Sequence, residues 1–261
     1  MADTRQVDRA ATPRWLPLST ALNLRDVGGL PVAGGGSVRP RTLLRSGSLR
    51  QLSPADAATL VAEFGLRTVV DLRTPDELAV DGPSNLAKAG VATAHLPLIS
   101  DVDDAVLKAQ GDTDAVRVLA DAYQAFLDQR GEHLVTAARL VAWTGSGSVL
   151  VHCAAGKDRT GVTIAVLLDA VGVERAAVLA DYDATNEVIA DVLASLVAAL
   201  GDESMISRVP LAMKRAQPDA LRAVLDRMDR DYGGAAGWLR SHGFDDTELD
   251  LLRHRLVERP A

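Results

Sequence analysis

Cysteine occurs once in the 261 residues, so no disulfide can form within the chain, which suits a reducing compartment. Aromatic side chains make up only 3% of the sequence against a hydrophobic fraction of 48%, so any sizeable core has to be assembled mainly from Leu, Val and Ala. Basic residues are outnumbered, with a formal net charge of −7, and the chain lacks the cationic excess that nucleic-acid phosphates demand; nucleic acid is excluded as a general partner. No apolar run approaches the ~18 residues of a membrane span. Arg5, Arg9 and Arg14 are followed by no apolar segment that could form the core of a signal peptide, so the expected location is cytoplasmic. His133, His242 and His254 show no ligand-like spacing, and neither a metal nor a cofactor is expected.

What is present reads as an α/β chain. Residues 1–18 form a polar stretch expected to be a disordered or loosely packed N-terminal arm, and 19–261 a single domain. Gly34, Gly35 and Gly36 mark a turn between two short strands, the second near residues 42–45. Ser53-Pro54 opens a helix, Ser53 as N-cap and Pro54 in its first turn, and Gly65 stops it. The β-branched run around 68–72 predicts a buried strand, 93–98 a second, and Val149-Leu150-Val151 a third. Helical spacing covers about 105–130 and 133–143, the apolar segment 161–171, and most of the chain beyond 176. Strands alternating with helices, then a helical C-terminal half, predict a central, mostly parallel sheet flanked by helices.

The chemistry concentrates in His152-Cys153-Ala154-Ala155-Gly156-Lys157-Asp158-Arg159-Thr160-Gly161, between a buried strand and a buried helix. A loop that closes onto a helix N-terminus turns several backbone N–H groups toward one point, and the helix dipole adds positive charge there. Such a nest of amides holds an anion with three or more oxygens, and Gly156 lets the backbone bend where a Cβ would obstruct it. A thiol at the mouth of such a nest is drawn toward the thiolate, a nucleophile aimed at phosphorus. Arg159, six positions on, has the planar fork that holds two phosphate oxygens as charge shifts in the transition state. Residues 153–159 are thus the expected phosphate-binding loop, with Cys153 as nucleophile and Arg159 as clamp.

This segment resembles the phosphate-binding loop of protein tyrosine phosphatases, and Ala155-Gly156-Lys157-Asp158-Arg159-Thr160-Gly161 is especially similar to atypical bacterial members. Asn23-Leu24-Arg25-Asp26-Val27-Gly28-Gly29, Leu44-Arg45-Ser46-Gly47-Ser48, Asp71-Leu72-Arg73, Asp181-Tyr182 with Asn186, and Asp231-Tyr232-Gly233-Gly234 match that family in kind and order, so the resemblance spans roughly 20–258. It implies a central sheet of four or slightly more strands with helices on both sides, metal-free catalysis through a phosphocysteine, release of inorganic phosphate, and activity on phosphotyrosine proteins or on phosphoinositides. It also implies a helical lid, for which the stretches around 105–130 or 190–228 are candidates.

The leaving group needs a proton from a separate segment. The Trp-Pro-Asp sequence of many tyrosine phosphatases is missing, since Trp143 is followed by Thr144-Gly145. In the similar bacterial enzymes the acid stands six residues after a His, which points to Asp101 after His95, with Ser100 where a Pro would precede it and Asp103 and Asp104 as rivals. Asp158 is expected to orient Arg159 or the loop, or to serve as the acid itself, since repulsion from a bound phosphate helps a carboxyl hold its proton. Lys157 is read as an extra cation for substrate, His152 as a support for the loop, and Thr160 as a donor to the thiolate or a helix cap. Arg25 and Asp26 are expected to buttress the loop, and Arg73 to pair with a carboxylate behind it. A phosphoinositide phosphatase, a sulfurtransferase and a non-cleaving phosphotyrosine-binding module stand as alternatives.

Overall fold

The computed structural model describes residues 14–18, 20–98, 111–200 and 211–259. Its strands are β1 (Arg14–Trp15), β2 (Arg25–Asp26), β3 (Ser37–Val38), β4 (Leu43–Ser46), β5 (Leu66–Asp71), β6 (Ala92–His95), β7 (Ser148–His152) and β8 (Val257–Glu258). Six of them form one sheet in the order β1-β2-β4-β7-β5-β6; β4, β7, β5 and β6 run parallel, and β2 and β1 are added antiparallel at one edge. β3 and β8 pair separately. Residues 14 and 15, expected in a loose arm, instead form an edge strand, because the Trp15 ring takes the Arg25 guanidinium at 5.0 Å over its face.

Alternation along the parallel strands feeds two cores, one on each face. Leu43, Val70, Val149 and Val151 join the larger core, while Leu44, Leu66, Val69 and Leu150 join the smaller. α1 (Pro54–Ala62), α2 (Pro75–Asp81) and α3 (Asn85–Lys88) follow early in the chain, with Ala57 and Leu60 of α1 and Leu86 of α3 covering the smaller core. α4 (Gly111–Trp143), α5 (Asp158–Ala170), α6 (Arg175–Asp183), α7 (Thr185–Leu200), α8 (Leu211–Lys214), α9 (Pro218–Tyr232), α10 (Ala235–Ser241) and α11 (Asp246–Leu256) make up the later part, and the larger core lies mainly among α4, α5, α6, α9, α10 and α11. The few aromatics serve as anchors there: Trp238, Tyr123, Tyr182 and Phe244 are among the largest fully buried side chains.

Several local expectations hold. Ser53 caps α1 by accepting from the Asp56 N–H, and Pro54 stands in its first turn. The two helices expected on either side of residue 131 are present, labelled together as α4 and separated by a kink at Arg130, whose backbone is non-helical (φ −136°, ψ 28°). The helix expected from Gly161 begins three residues earlier, at Asp158, so Asp158 and Arg159 project from its first turn.

Candidate active site

Central strand β7 ends at His152 and releases Cys153 at the C-terminal edge of the sheet, where parallel α/β folds gather their ligands. The loop then bends through Gly156 (φ +68°), where a Cβ would lie 2.5 Å from the Ser46 carbonyl oxygen and 2.6 Å from the Gly47 nitrogen. Every carbonyl from 153 to 156 accepts a hydrogen bond from outside the loop. His152 Nδ1 donates to Cys153 O (3.3 Å), the Ser48 N–H to Ala154 O (2.8 Å), and Asn23 Nδ2 to both Ala155 O and Gly156 O (3.0 Å each). Arg45 Nη2 adds a second bond to Gly156 O (2.8 Å). In a trans peptide the N–H points away from the C=O, so carbonyls tied outward leave amides turned inward. The Gly156 N–H does so, donating to Cys153 Sγ at 3.3 Å.

Behind the loop two guanidiniums share one carboxylate. Arg25 donates to Asp181 Oδ1 (2.9 Å) and Arg45 to Asp181 Oδ2 (2.5 Å), all three being buried. Burial and the Arg45 charge pull Arg25 down to about 10. Burial pushes the Asp181 carboxyl up, but the two guanidiniums outweigh it and hold the group below the usual carboxylate range.

Arg159 is held by a residue the sequence did not single out. Its Nη1 and Nη2 donate to Glu77 Oε2 (2.6 Å) and Oε1 (2.7 Å). Glu77 stands at the third position of α2, where Thr74 and Glu77 cap one another reciprocally. Burial raises the Glu77 carboxyl, but the Arg159 bonds and charge outweigh it and leave it below an ordinary glutamate. Burial disfavours the Arg159 cation, yet the same bonds hold it above an ordinary arginine. The end-on pairing leaves the Nε–H and the remaining Nη2–H, side by side, for two oxygens of an oxyanion.

Cys153, Ala154, Ala155, Asp158 and Arg159 line a cavity of about 410 Å³ that is closed on one side by Val192, Ser195, Leu196 and Ala199 of α7. That places α7, from the expected 190–228 stretch, over the site. Asp158 Oδ1 accepts from the Tyr123 hydroxyl of α4, and Tyr123 O is 2.6 Å from the Tyr182 hydroxyl. Lys157 corrects an expectation. Its ammonium is buried and donates to Met213 O (2.5 Å) and Arg215 O (3.2 Å), so it anchors α8 instead of facing substrate.

Asp26 is a second correction. Its carboxylate accepts from the amides of Gly28 and Arg41, 2.8 Å each, and braces the connection from β2 to β4, whereas its neighbour Arg25 supports the loop through Asn23 and Asp181. Thr160 is a third. Its buried hydroxyl caps nothing and has no hydrogen-bond partner among the described residues. Arg73 pairs with Asp71 (2.7 Å) and Asp81 (2.6 Å) as expected. His152 Nε2 lies 3.6 Å from Asp71, but burial dominates and pulls the imidazole down to about 4. Asp101, Asp103 and Asp104 lie outside the described residues.

A parallel sheet whose central strand delivers a thiol and whose next helix delivers a guanidinium to one inward-facing loop is the frame of a phosphatase. A family model described as "Tyrosine phosphatase family" matches residues 16–258, and the chain belongs to that family: it is a protein tyrosine phosphatase. It is similar to the triple specificity protein phosphatase PtpB of Mycobacterium tuberculosis, 28% identical over 92% of this chain and 98% of that one. A tyrosine-protein phosphatase of Nostoc commune is 28% identical over 87% of this chain and 78% of its own. The solved structure of P. aeruginosa TpbA covers 83% of this chain and 98% of its own at 21% identity, with a TM-score of 0.34, a likeness too loose to add to the fold described above.

Proposed function

We propose that this phosphatase works through a phosphocysteine on Cys153, with aryl phosphates of the phosphotyrosine type as substrate. The Cys153 thiolate attacks phosphorus, the ester P–O bond breaks, and the departing phenoxide takes a proton from Asp101, with Asp158 as the alternative donor. Water then attacks the phosphocysteine, the S–P bond breaks, and inorganic phosphate leaves. The observation that carries this reading is the outward binding of all four loop carbonyls, which turns the loop amides toward Sγ, one of them donating to it, so that the others can hold the equatorial oxygens of the phosphoryl group.

Cavity charge favours a single phosphate over a multiply phosphorylated inositol headgroup. Among the described residues, the lining supplies one guanidinium beside Arg159, that of Arg50, against Asp76, Glu77, Asp81 and Asp158, and Lys157 is engaged elsewhere. The presence of both Cys153 and Arg159 supports cleavage over mere binding of phosphotyrosine. Hydrolysis of p-nitrophenyl phosphate in EDTA tests the proposal: wild type should turn over, and Cys153→Ser should lose activity completely. Turnover by Cys153→Ser, or its abolition in wild type by the chelator, would refute the phosphocysteine route.

A further inference from the structure

Asp158 is the end of a hydrogen-bonded chain whose direction is dictated by its other end. The Gln217 backbone N–H, which can only donate, reaches the Tyr182 hydroxyl at 3.3 Å. Tyr182 and Tyr123 are 2.6 Å apart, and Tyr123 reaches Asp158 Oδ1. Each hydroxyl has one proton. With Tyr182 accepting from Gln217, its proton is free for Tyr123, whose own proton then goes to Asp158. The other oxygen, Oδ2, lies 3.4 Å from the Lys157 ammonium. Both oxygens of Asp158 therefore face donors.

The surroundings are built for this chain. Tyr123 and Tyr182 are fully buried and meet edge to face with centroids 6.5 Å apart. Burial first, and then the Asp158 charge, raise the Tyr123 hydroxyl well above its ordinary value, so it stays a donor. Gly161 makes room for Tyr182: a Cβ there would lie 2.7 Å from the Tyr182 ring. Asp158 itself is about a third exposed and faces the cavity beside Cys153 and Arg159.

We infer that Tyr123 and Tyr182 are positioning residues: their relay holds the Asp158 carboxylate as an acceptor over the cavity, where it takes the proton from the water that hydrolyses the phosphocysteine. In that step the water oxygen bonds to phosphorus, one water proton passes to Asp158, and the S–P bond breaks with its electron pair returning to Sγ. This rests on the phosphocysteine reading with Asp101 as the donor of the first step.

The test is steady-state kinetics on p-nitrophenyl phosphate with Tyr123→Phe, Tyr182→Phe, Asp158→Ala and the double variant Tyr123→Phe/Asp158→Ala, with thermal melts beside them. Slower hydrolysis of the intermediate lowers kcat and KM together. Tyr123→Phe should lower kcat about 3–10-fold, the range of one hydrogen bond, with kcat/KM unchanged. Adding it to Asp158→Ala should change nothing further. Tyr182→Phe should follow Tyr123→Phe in direction and supply the answer if Tyr123→Phe does not fold. An unchanged kcat, a parallel fall in kcat/KM, or losses that multiply in the double variant would overturn the relay. These outcomes are distinct from activity persisting in Cys153→Ser, which would remove the phosphocysteine itself.

Discussion

Glu77 serves two purposes at once: it closes the cap of α2 and it holds Arg159, the guanidinium proposed to meet the phosphate. Glutamine keeps the cap, because its carbonyl can accept from Thr74 N–H as the carboxylate does, but it gives up the charge and one of the two acceptors for Arg159. Charge-assisted hydrogen bonds contribute about 1.5–3 kcal/mol. Glu77→Gln should therefore lower kcat/KM on p-nitrophenyl phosphate by about 10–100-fold while the melting temperature moves little. A large drop in melting temperature with intact kinetics would show that the pair is structural. Lys157 makes the complementary point. A lysine inside a phosphate loop invites a substrate-binding role, yet a buried ammonium goes where carbonyl oxygens are, and Met213 and Arg215 supply them.

At the scale of elements, the strand, loop and helix around Cys153 were legible because the residues that define them are neighbours in the chain. Apolar β7, Gly156 and the first turn of α5 lie within 148–161, and their local chemistry points to an anion site. Of the clamps on that loop only Arg25 was legible as a support; the pairings were not, because they come from far away: Asn23 to Gly156 spans 133 positions, Arg25 to Asp181 spans 156, and Arg159 to Glu77 spans 82. Only the order of strands in the sheet brings them together. The matched residues Asp181, Tyr182 and Asn186 carried no role in the sequence; in the structure Asp181 joins two arginines, Tyr182 reaches Tyr123, and Asn186 brackets Ala216 through its N–H and C=O. The loop's packing can be tested with a matched pair of glycines. Gly156 and Gly145 share φ +68°, but a Cβ at Gly145 meets nothing within 4 Å. Gly145→Ala should cost about 1 kcal/mol of urea-measured stability and leave activity alone. Gly156→Ala should cost at least twice that and abolish turnover, because the Ser46–Gly47 backbone has to be displaced. Equal effects would mean that φ alone matters at Gly156.

Across the whole molecule, stability should depend on acid in a way set largely by buried groups around the site. His152 is neutral in the folded chain down to about pH 4, because burial disfavours its cation, whereas in the unfolded chain it protonates near its ordinary 6.5. The unfolded state thus binds the extra proton between these values, so stability is lost as pH falls from about 6.5 to 4, by up to about 3 kcal/mol. Asp71, Asp181 and Glu77, all held below their ordinary values, add losses at still lower pH, where they protonate. Urea midpoints measured from pH 8 to 4 should fall across the upper window in wild type, and His152→Gln should flatten that part of the curve. A slope unaffected by His152→Gln would assign the loss to other groups.

β7 is the middle strand of the sheet although it is one of the last to be synthesised, and it hydrogen-bonds to β4, about a hundred residues before it, and to β5. On the ribosome, β2 with β4 and β5 with β6 can pair as they emerge, but the two halves stay apart until residues 148–152 slide between them, the slow, non-local kind of contact. Cys153 follows immediately on that keystone strand, so a nascent or truncated chain lacking it has neither a joined sheet nor the proposed nucleophile. The insertion that joins the two halves of the sheet is therefore also the step that carries Cys153 to the edge where the cavity forms.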